Sequence, residues 1–190
     1  IAIQYGAVSA VVWFYIPPNG NGVLLSFQNV QISQSSGFWT SWLYVGTDGK
    51  LYAGDYPIGQ VVTSTPINPG WHMAVIEEWA TSTSGPSYVA LYIDGSFVGQ
   101  ISKSAVPQLF GIVSPNPNVV HNYIGTGQGC GWAATPGCNV NNGWFFFNGA
   151  IAYVAFYNRV LSPGEVVAIY QGCEITDGLV AKYTGDSYDP

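Results

Sequence analysis

The chain has 190 residues, 48% hydrophobic and 15% aromatic, enough apolar side chain for one sizeable core and too much for a disordered segment. Only 7% are charged, and four Lys plus Arg stand against ten Asp plus Glu, a formal charge of −6. So little positive charge gives a phosphate backbone or an anionic membrane nothing to bind, so nucleic acid and membrane insertion are excluded as expectations.

The surface must be built from Ser, Thr, Asn, Gln, Gly and Tyr, which suits a secreted protein and an acidic habitat. With few paired carboxylates to titrate, a flat stability profile from neutral pH down to about pH 3 is expected. No apolar run approaches the ~20 residues of a spanning helix. The chain opens at Ile1 with neither an initiating Met nor a signal peptide, and reads as a processed mature protein or a piece of a longer one.

In chain order, Tyr5 to Ile16 predicts a long strand with Val8, Ala10, Val12, Phe14 and Ile16 on one face. Val23 to Gln28 and Phe38 to Val45 predict two more, the latter with Trp39, Leu43 and Val45 on one side and Trp42 and Tyr44 on the other. Asp48-Gly49 makes a hairpin turn to Leu51–Ala53, because Asp-Gly accepts positive φ at little cost. Ile58 to Thr63 is a short strand and Trp71 to Trp79 a central one. Tyr88 to Ile93 turns through Asp94-Gly95 into Phe97 to Ile101.

Val106 to Asn118 holds three prolines and reads as a loop, and Val119 to Gly125 as a strand. Ala150 to Asn158 alternates with both faces largely apolar, as in a strand covered on both sides. Ser162, Pro163 and Glu165 form a capping box with the favoured first-turn proline, so a helix runs from Pro163 to about Tyr170, and Gly172 stops it. About a dozen short strands and one late helix predict an all-β, antiparallel jelly-roll sandwich of two sheets.

Four pieces of this pattern resemble the laminin-G-like, concanavalin A-like jelly-roll domains. They are Gly70-Trp71-His72-Met73-Ala74-Val75, Leu91-Tyr92-Ile93-Asp94-Gly95, Tyr123-Ile124-Gly125, and the closing run Phe147-Asn148-Gly149 through Leu161-Ser162 to Glu165. The resemblance spans roughly residues 7 to 172 and implies the fold, not a function. It implies a structural role for His72. It also implies an opening strand that the N-terminus lacks and that Asp177-Gly178-Leu179-Val180-Ala181-Lys182-Tyr183-Thr184-Gly185-Asp186 resembles at the other end. Residues 1–174 therefore read as the sandwich. In residues 175–190, Leu179, Val180, Ala181 and Tyr183 are candidate strand residues, completing their own sheet, donated to a neighbouring copy, or opening a truncated repeat.

Chemistry-bearing residues are sparse. Glu77 and Glu78 are adjacent, so on a strand they point to opposite faces and do not form a glycosidase pair; one is expected at the sheet surface and one partnered by Tyr or backbone. His72 and His121 have no nucleophile motif or metal spacing near them. Gly125-Thr126-Gly127-Gln128-Gly129 opens no helix and reads as a flexible turn, not a phosphate loop. No catalytic residue is assigned.

Cys130 and Cys138 bracket a Gly/Pro loop and are the favoured disulfide, with a Cys173 pairing as the rival. No cofactor is expected. Calcium would need Asp55, Asn139, Asn141 and Asn142 as oxygen ligands, on the precedent of related domains. Trp39, Trp42 and above all Trp132, lying between two cysteines, are candidate binding anchors. The expected function is an extracellular, non-enzymatic interaction module. It would be a structural or adhesive subunit of a filament, virion surface or adhesin, meeting copies of itself or another extracellular protein. The alternative is a lectin-like domain meeting a glycan.

Overall fold

The computed structural model describes residues 6–29, 31–32, 37–82, 85–105 and 121–185. The expected loop over Val106–Asn118 and the residues Tyr5, Val119 and Val120 lie outside them. The period-2 pattern forms β1 (Ala7–Ile16) as read: Val8, Ala10, Val12, Phe14 and Ile16 face the core between the sheets. Val11 and Trp13 face the other way, into a second apolar layer.

The strands that follow are β2 (Gly22–Gln28), β3 (Trp39–Val45), β4 (Leu51–Asp55), β5 (Gly59–Val62), β6 (Gly70–Ala80), β7 (Ser87–Ile93), β8 (Ser96–Lys103), β9 (His121–Ile124) and β10 (Ala150–Tyr157). Then come helix α1 (Pro163–Tyr170) and β11 (Leu179–Thr184). Every strand pairing is antiparallel. One sheet is six-stranded in the order β11-β10-β1-β6-β7-β8, the other five-stranded in the order β5-β4-β3-β2-β9. The main core lies between them.

Both Asp-Gly turns form. Gly49, Asp94 and Gly95 take the positive φ that such turns demand (75°, 49° and 76°). Asp94 does more than turn the chain: its carboxylate accepts from Met73 N (2.9 Å) and lies 2.7 Å from His72 Nδ1, while His72 Nε2 lies 2.7 Å from the Asn68 carbonyl. Two acceptors face the two ring nitrogens, an arrangement satisfied by imidazolium, and the Asp94 contact raises the His72 pKa.

The capping box is present, with Ser162 Oγ accepting from Glu165 N and the Glu165 carboxylate accepting from Ser162 N (2.8 Å). Arg159 grips the same carboxylate through two bonds of 2.9 and 2.6 Å. The helix lays Val166 and Ile169 over Val11, Met73, Val75, Ala155 and Tyr157 on the outer face of the six-stranded sheet, so β10 is covered on both sides.

Beyond the helix the chain returns to β10. Asn158 N donates to the Gly178 carbonyl (2.9 Å), Tyr157 Oη to that of Ile175 (3.1 Å) and Arg159 Nε to that of Asp177 (3.0 Å). β11 then forms a ladder with β10, Tyr153 opposite Thr184 and Tyr157 opposite Leu179.

Strict alternation fails in β3. The β2–β3 register slips between Val23 and Leu25 and again between Leu25 and Phe27, one extra residue on each strand. Such bulges turn two successive side chains to one face. Trp42 therefore joins Leu43 and Val45 in the main core, while Tyr44 faces outward to Val23, Tyr52 and Phe145.

Candidate functional site

A segment running from Gly125 to Asn148 is laid across the outer face of the five-stranded sheet. Hydroxyls of that sheet hold it: Ser26 Oγ donates to the Thr126 carbonyl (2.8 Å) and Ser41 Oγ to that of Gln128 (2.7 Å). Trp39 Nε1 donates to the Cys130 carbonyl (3.0 Å) and Tyr44 Oη to that of Ala133 (2.8 Å). The glycine-rich stretch is thus a pinned strap and not a flexible turn. A Cβ on Gly127 would stand 2.5 Å from Ser26, so only glycine allows this approach. Cys130 and Cys138 are disulfide-bonded, with Cα atoms 4.7 Å apart, and Cys173 is free and exposed.

Where the strap crosses the start of β3, it closes one wall of an open cleft of about 430 Å³. Trp39 opens β3 and Phe38 precedes it, Tyr56 and Pro57 come from the β4–β5 turn, Gln60 from β5, and Trp132 from the strap. Phe38 is 54% exposed and Tyr56 62%, large rings left open to solvent. Trp132 is half-buried, packed by its inner side on the Tyr44, Tyr52 and Phe145 cluster. Gln60 Nε2 donates to Tyr44 Oη (2.6 Å), which fixes the amide and leaves a second N–H and a carbonyl oxygen for a partner. Burial pushes the Tyr44 hydroxyl pKa far up, so it remains a neutral donor to Ala133. The cleft thus offers rings, one anchored amide and main chain.

Beneath it sit buried acids. Asp55 is fully buried; its Oδ1 accepts from Thr40 Oγ1 (2.8 Å) and Tyr56 N (2.7 Å), which fastens the base of the exposed Tyr56. Glu78 projects into the same interior from β6, and its Oε2 accepts from Trp42 Nε1 (2.7 Å). Burial and the Asp55 carboxylate push the Glu78 carboxyl well above the ordinary range, which favours its protonated form. Glu77 faces the opposite side, 2% exposed, and its Oε1 accepts from Leu161 N (3.0 Å). Burial raises its pKa to about 7. The expectation that one of the two acids lies at the surface is corrected: β6 is central, with the core on one side and the helix layer on the other.

Of the candidate anchors, Trp132 and Trp39 meet in the cleft, whereas Trp42 is fully enclosed in the core because of the β3 bulge. Of the candidate calcium ligands, Asp55 points into the core. Asn139, Asn141 and Asn142 are exposed on the strap, and the described residues hold no group of three or more His, Cys, Asp or Glu that could hold a metal. Phe38, Tyr56 and Gln60 were not singled out in the sequence. The signal available was an aromatic at a strand end flanked by Gly or Pro, as in Gly37-Phe38 and Tyr56-Pro57.

A second open cleft, of about 560 Å³, lies beside the helix and β11 and is lined by Trp13, Trp71, Tyr153 and Cys173, with Lys182 and Glu174 paired across it at 2.6 Å. Its charged groups satisfy each other, which leaves less for a ligand than the first cleft provides.

The fold is an antiparallel jelly-roll β-sandwich of two sheets. No protein-family model matches the sequence, and no curated protein matches it. Solved structures do match the fold. One is the CBM40 domain of the Ruminococcus gnavus IT-sialidase bound to alpha2,3 sialyllactose, with a TM-score of 0.57, 16% identity, and 88% of this chain and 84% of that one covered. Another is a Bacteroides ovatus protein considered carbohydrate binding, with a TM-score of 0.61, 13% identity, and 97% of this chain but 46% of that one covered. A mutant of Trypanosoma rangeli sialidase displaying trans-sialidase activity matches at a TM-score of 0.52 and 14% identity, over 87% of this chain and 23% of that one. At such identities the likeness is one of fold.

Proposed function

We propose that this chain is an extracellular, non-enzymatic carbohydrate-binding domain of lectin type, and that the Phe38–Tyr56–Trp132 cleft is its site. The observation that carries this reading is the convergence of three rings from three separate segments around the tethered Gln60 amide. One wall of the cleft belongs to a strap closed by a disulfide. Sugar rings present apolar C–H faces to aromatics and hydroxyls to amides, the mix that a shaped pocket with few polar groups recognises. The sialyllactose held by the CBM40 domain, and the disulfide, typical of oxidising compartments, support the reading.

The test is a glycan array followed by calorimetry on hits, with Trp132→Ala and Tyr56→Ala as variants. Binding that falls at least tenfold in both, with Tm held within a few degrees, is expected. No glycan bound, or variants that bind as the parent does, would refute it.

A second reading, a subunit of a surface assembly, is favoured by β11. That strand is hydrogen-bonded to β10 on one side only and stands at the end of its sheet, with Val180 46% and Tyr183 56% exposed and the free Cys173 nearby. An open edge of this kind pairs readily with another chain. On either reading, Leu179–Thr184 completes the chain's own six-stranded sheet, in keeping with a laminin-G-like affiliation; the β10–β11 ladder supports this. Light scattering and non-reducing electrophoresis test assembly: a strict monomer that binds glycan leaves the first reading alone.

A further inference from the structure

We infer that the cleft selects uncharged glycans and rejects those ending in a sialic or uronic acid. The inference rests on the carbohydrate reading above and adds the ligand's charge class to it.

Cationic side chains are few, and the four Lys plus Arg of the chain all lie among the described residues. Lys50 stands in the β3–β4 hairpin, at the opposite end of β3 from the cleft, roughly 20 Å away at the rise of an extended strand. Arg159 is gripped by Glu165 and meets Asp177 at 3.1 Å, on the helix side of the other sheet. Lys182 is paired with Glu174 in the second cleft. Lys103 ends β8, two residues past Ile101. A Cβ on Gly59, at the cleft's edge, would stand 3.4 Å from Ile101, so Lys103 is the cation nearest the site; its side chain is exposed and does not line the cleft.

Neither histidine lines the cleft. His72 is held between Asp94 and the Asn68 carbonyl. His121 opens β9 opposite Gln28, which is itself opposite Trp39, so two strand spacings separate His121 from the cleft.

The site's own charge has the wrong sign for an acid. Asp55 lies directly under Tyr56, and the chain carries −6 overall. A carboxylate brought into the cleft would lose part of its hydration and meet no cation among the lining residues, while Asp55 repels it. A hydroxyl-only sugar loses less, since the Gln60 amide and main chain serve as its partners. The CBM40 neighbour, by contrast, was solved with a sialylated ligand. The two share a fold and need not share a charge preference.

The experiment presents matched probes differing only in charge: lactose against 3′-sialyllactose, and methyl-esterified against free oligogalacturonate, within an array of neutral and acidic glycans at pH 7.5. A neutral glycan bound at least tenfold more tightly than its acidic partner is expected. Its affinity should change less than about twofold between low and high salt, since no ion pair is there to be screened. Gln60→Lys should narrow the gap, and binding of the acid by that variant should weaken with salt. An acidic probe bound as tightly as its neutral partner overturns the charge selection and leaves the carbohydrate reading standing. Silence across the whole array overturns both.

Discussion

Replacing Glu77 by Gln isolates one buried proton. Glu77 is 2% exposed under the Arg159–Ser162 segment, and burial, the dominant cause, raises its pKa from the ordinary 4.5 to about 7. The Leu161 N–H opposes the rise and the Glu165 charge assists it. Because the folded chain holds this proton more tightly than the unfolded chain does, its contribution is fully present below pH 4.5. It is lost as pH climbs towards 7 and is constant beyond. The span from 4.5 to about 7 corresponds to about 3 kcal/mol. Gln keeps an oxygen for Leu161 N and never ionises.

Glu77→Gln should therefore match the parent at pH 4 and exceed it by about 3 kcal/mol at pH 8, roughly 6–12 °C in Tm for a domain of this size. Urea unfolding of both proteins at pH 4, 6 and 8 reads this directly. Parallel profiles, or a parent that gains stability between pH 4 and 8, would refute the reasoning. The raised pKa values of Glu78 and His72 tilt the parent the same way, and subtracting the variant removes them. Glu165 acts oppositely: Arg159 lowers its pKa to about 2, so its contribution fades only as pH falls below 4.5. The flat profile expected from composition thus becomes a slope favouring acid, because the two adjacent acids are buried and not solvated.

Removing the strap's disulfide with Cys130→Ser and Cys138→Ser should cost about 2–3 kcal/mol by loop-closure entropy and weaken cleft binding more than tenfold, read by melting and calorimetry. Ser162→Ala deletes the helix cap and should cost about 1 kcal/mol, seen as a Tm lower by roughly 2–4 °C with binding unchanged. His72→Leu leaves Asp94 without its ring partner; a loss of stability larger at pH 5 than at pH 9 is expected, since the raised His72 pKa places that ion pair on the acid side.

Local signals were legible wherever the physics is local. The capping box fixed Pro163 as the helix start, Asp-Gly fixed both turns, and alternation fixed the core face of β1. Trp42 escaped because one extra residue on each of β2 and β3 redirects the side chains, and a bulge leaves no mark in a period-2 pattern. The fate of Glu77 and Glu78 depended on what packs over β6, which is tertiary information. The cleft was half legible. Trp132 stood out by its place between cysteines and Trp39 by its ring. Phe38, Tyr56 and Gln60 belong with them only because β3, β4 and β5 lie side by side at one end of a sheet.

The strap is attached to the five-stranded sheet through main-chain carbonyls accepting from Ser26, Ser41, Trp39 and Tyr44. Carbonyls are present whatever the side chain, so much of the strap's own sequence is free to drift while its seat on the sheet is retained. Recognition in such a domain can be rewritten by exchanging a few residues of a surface ribbon, without disturbing the sandwich that carries it.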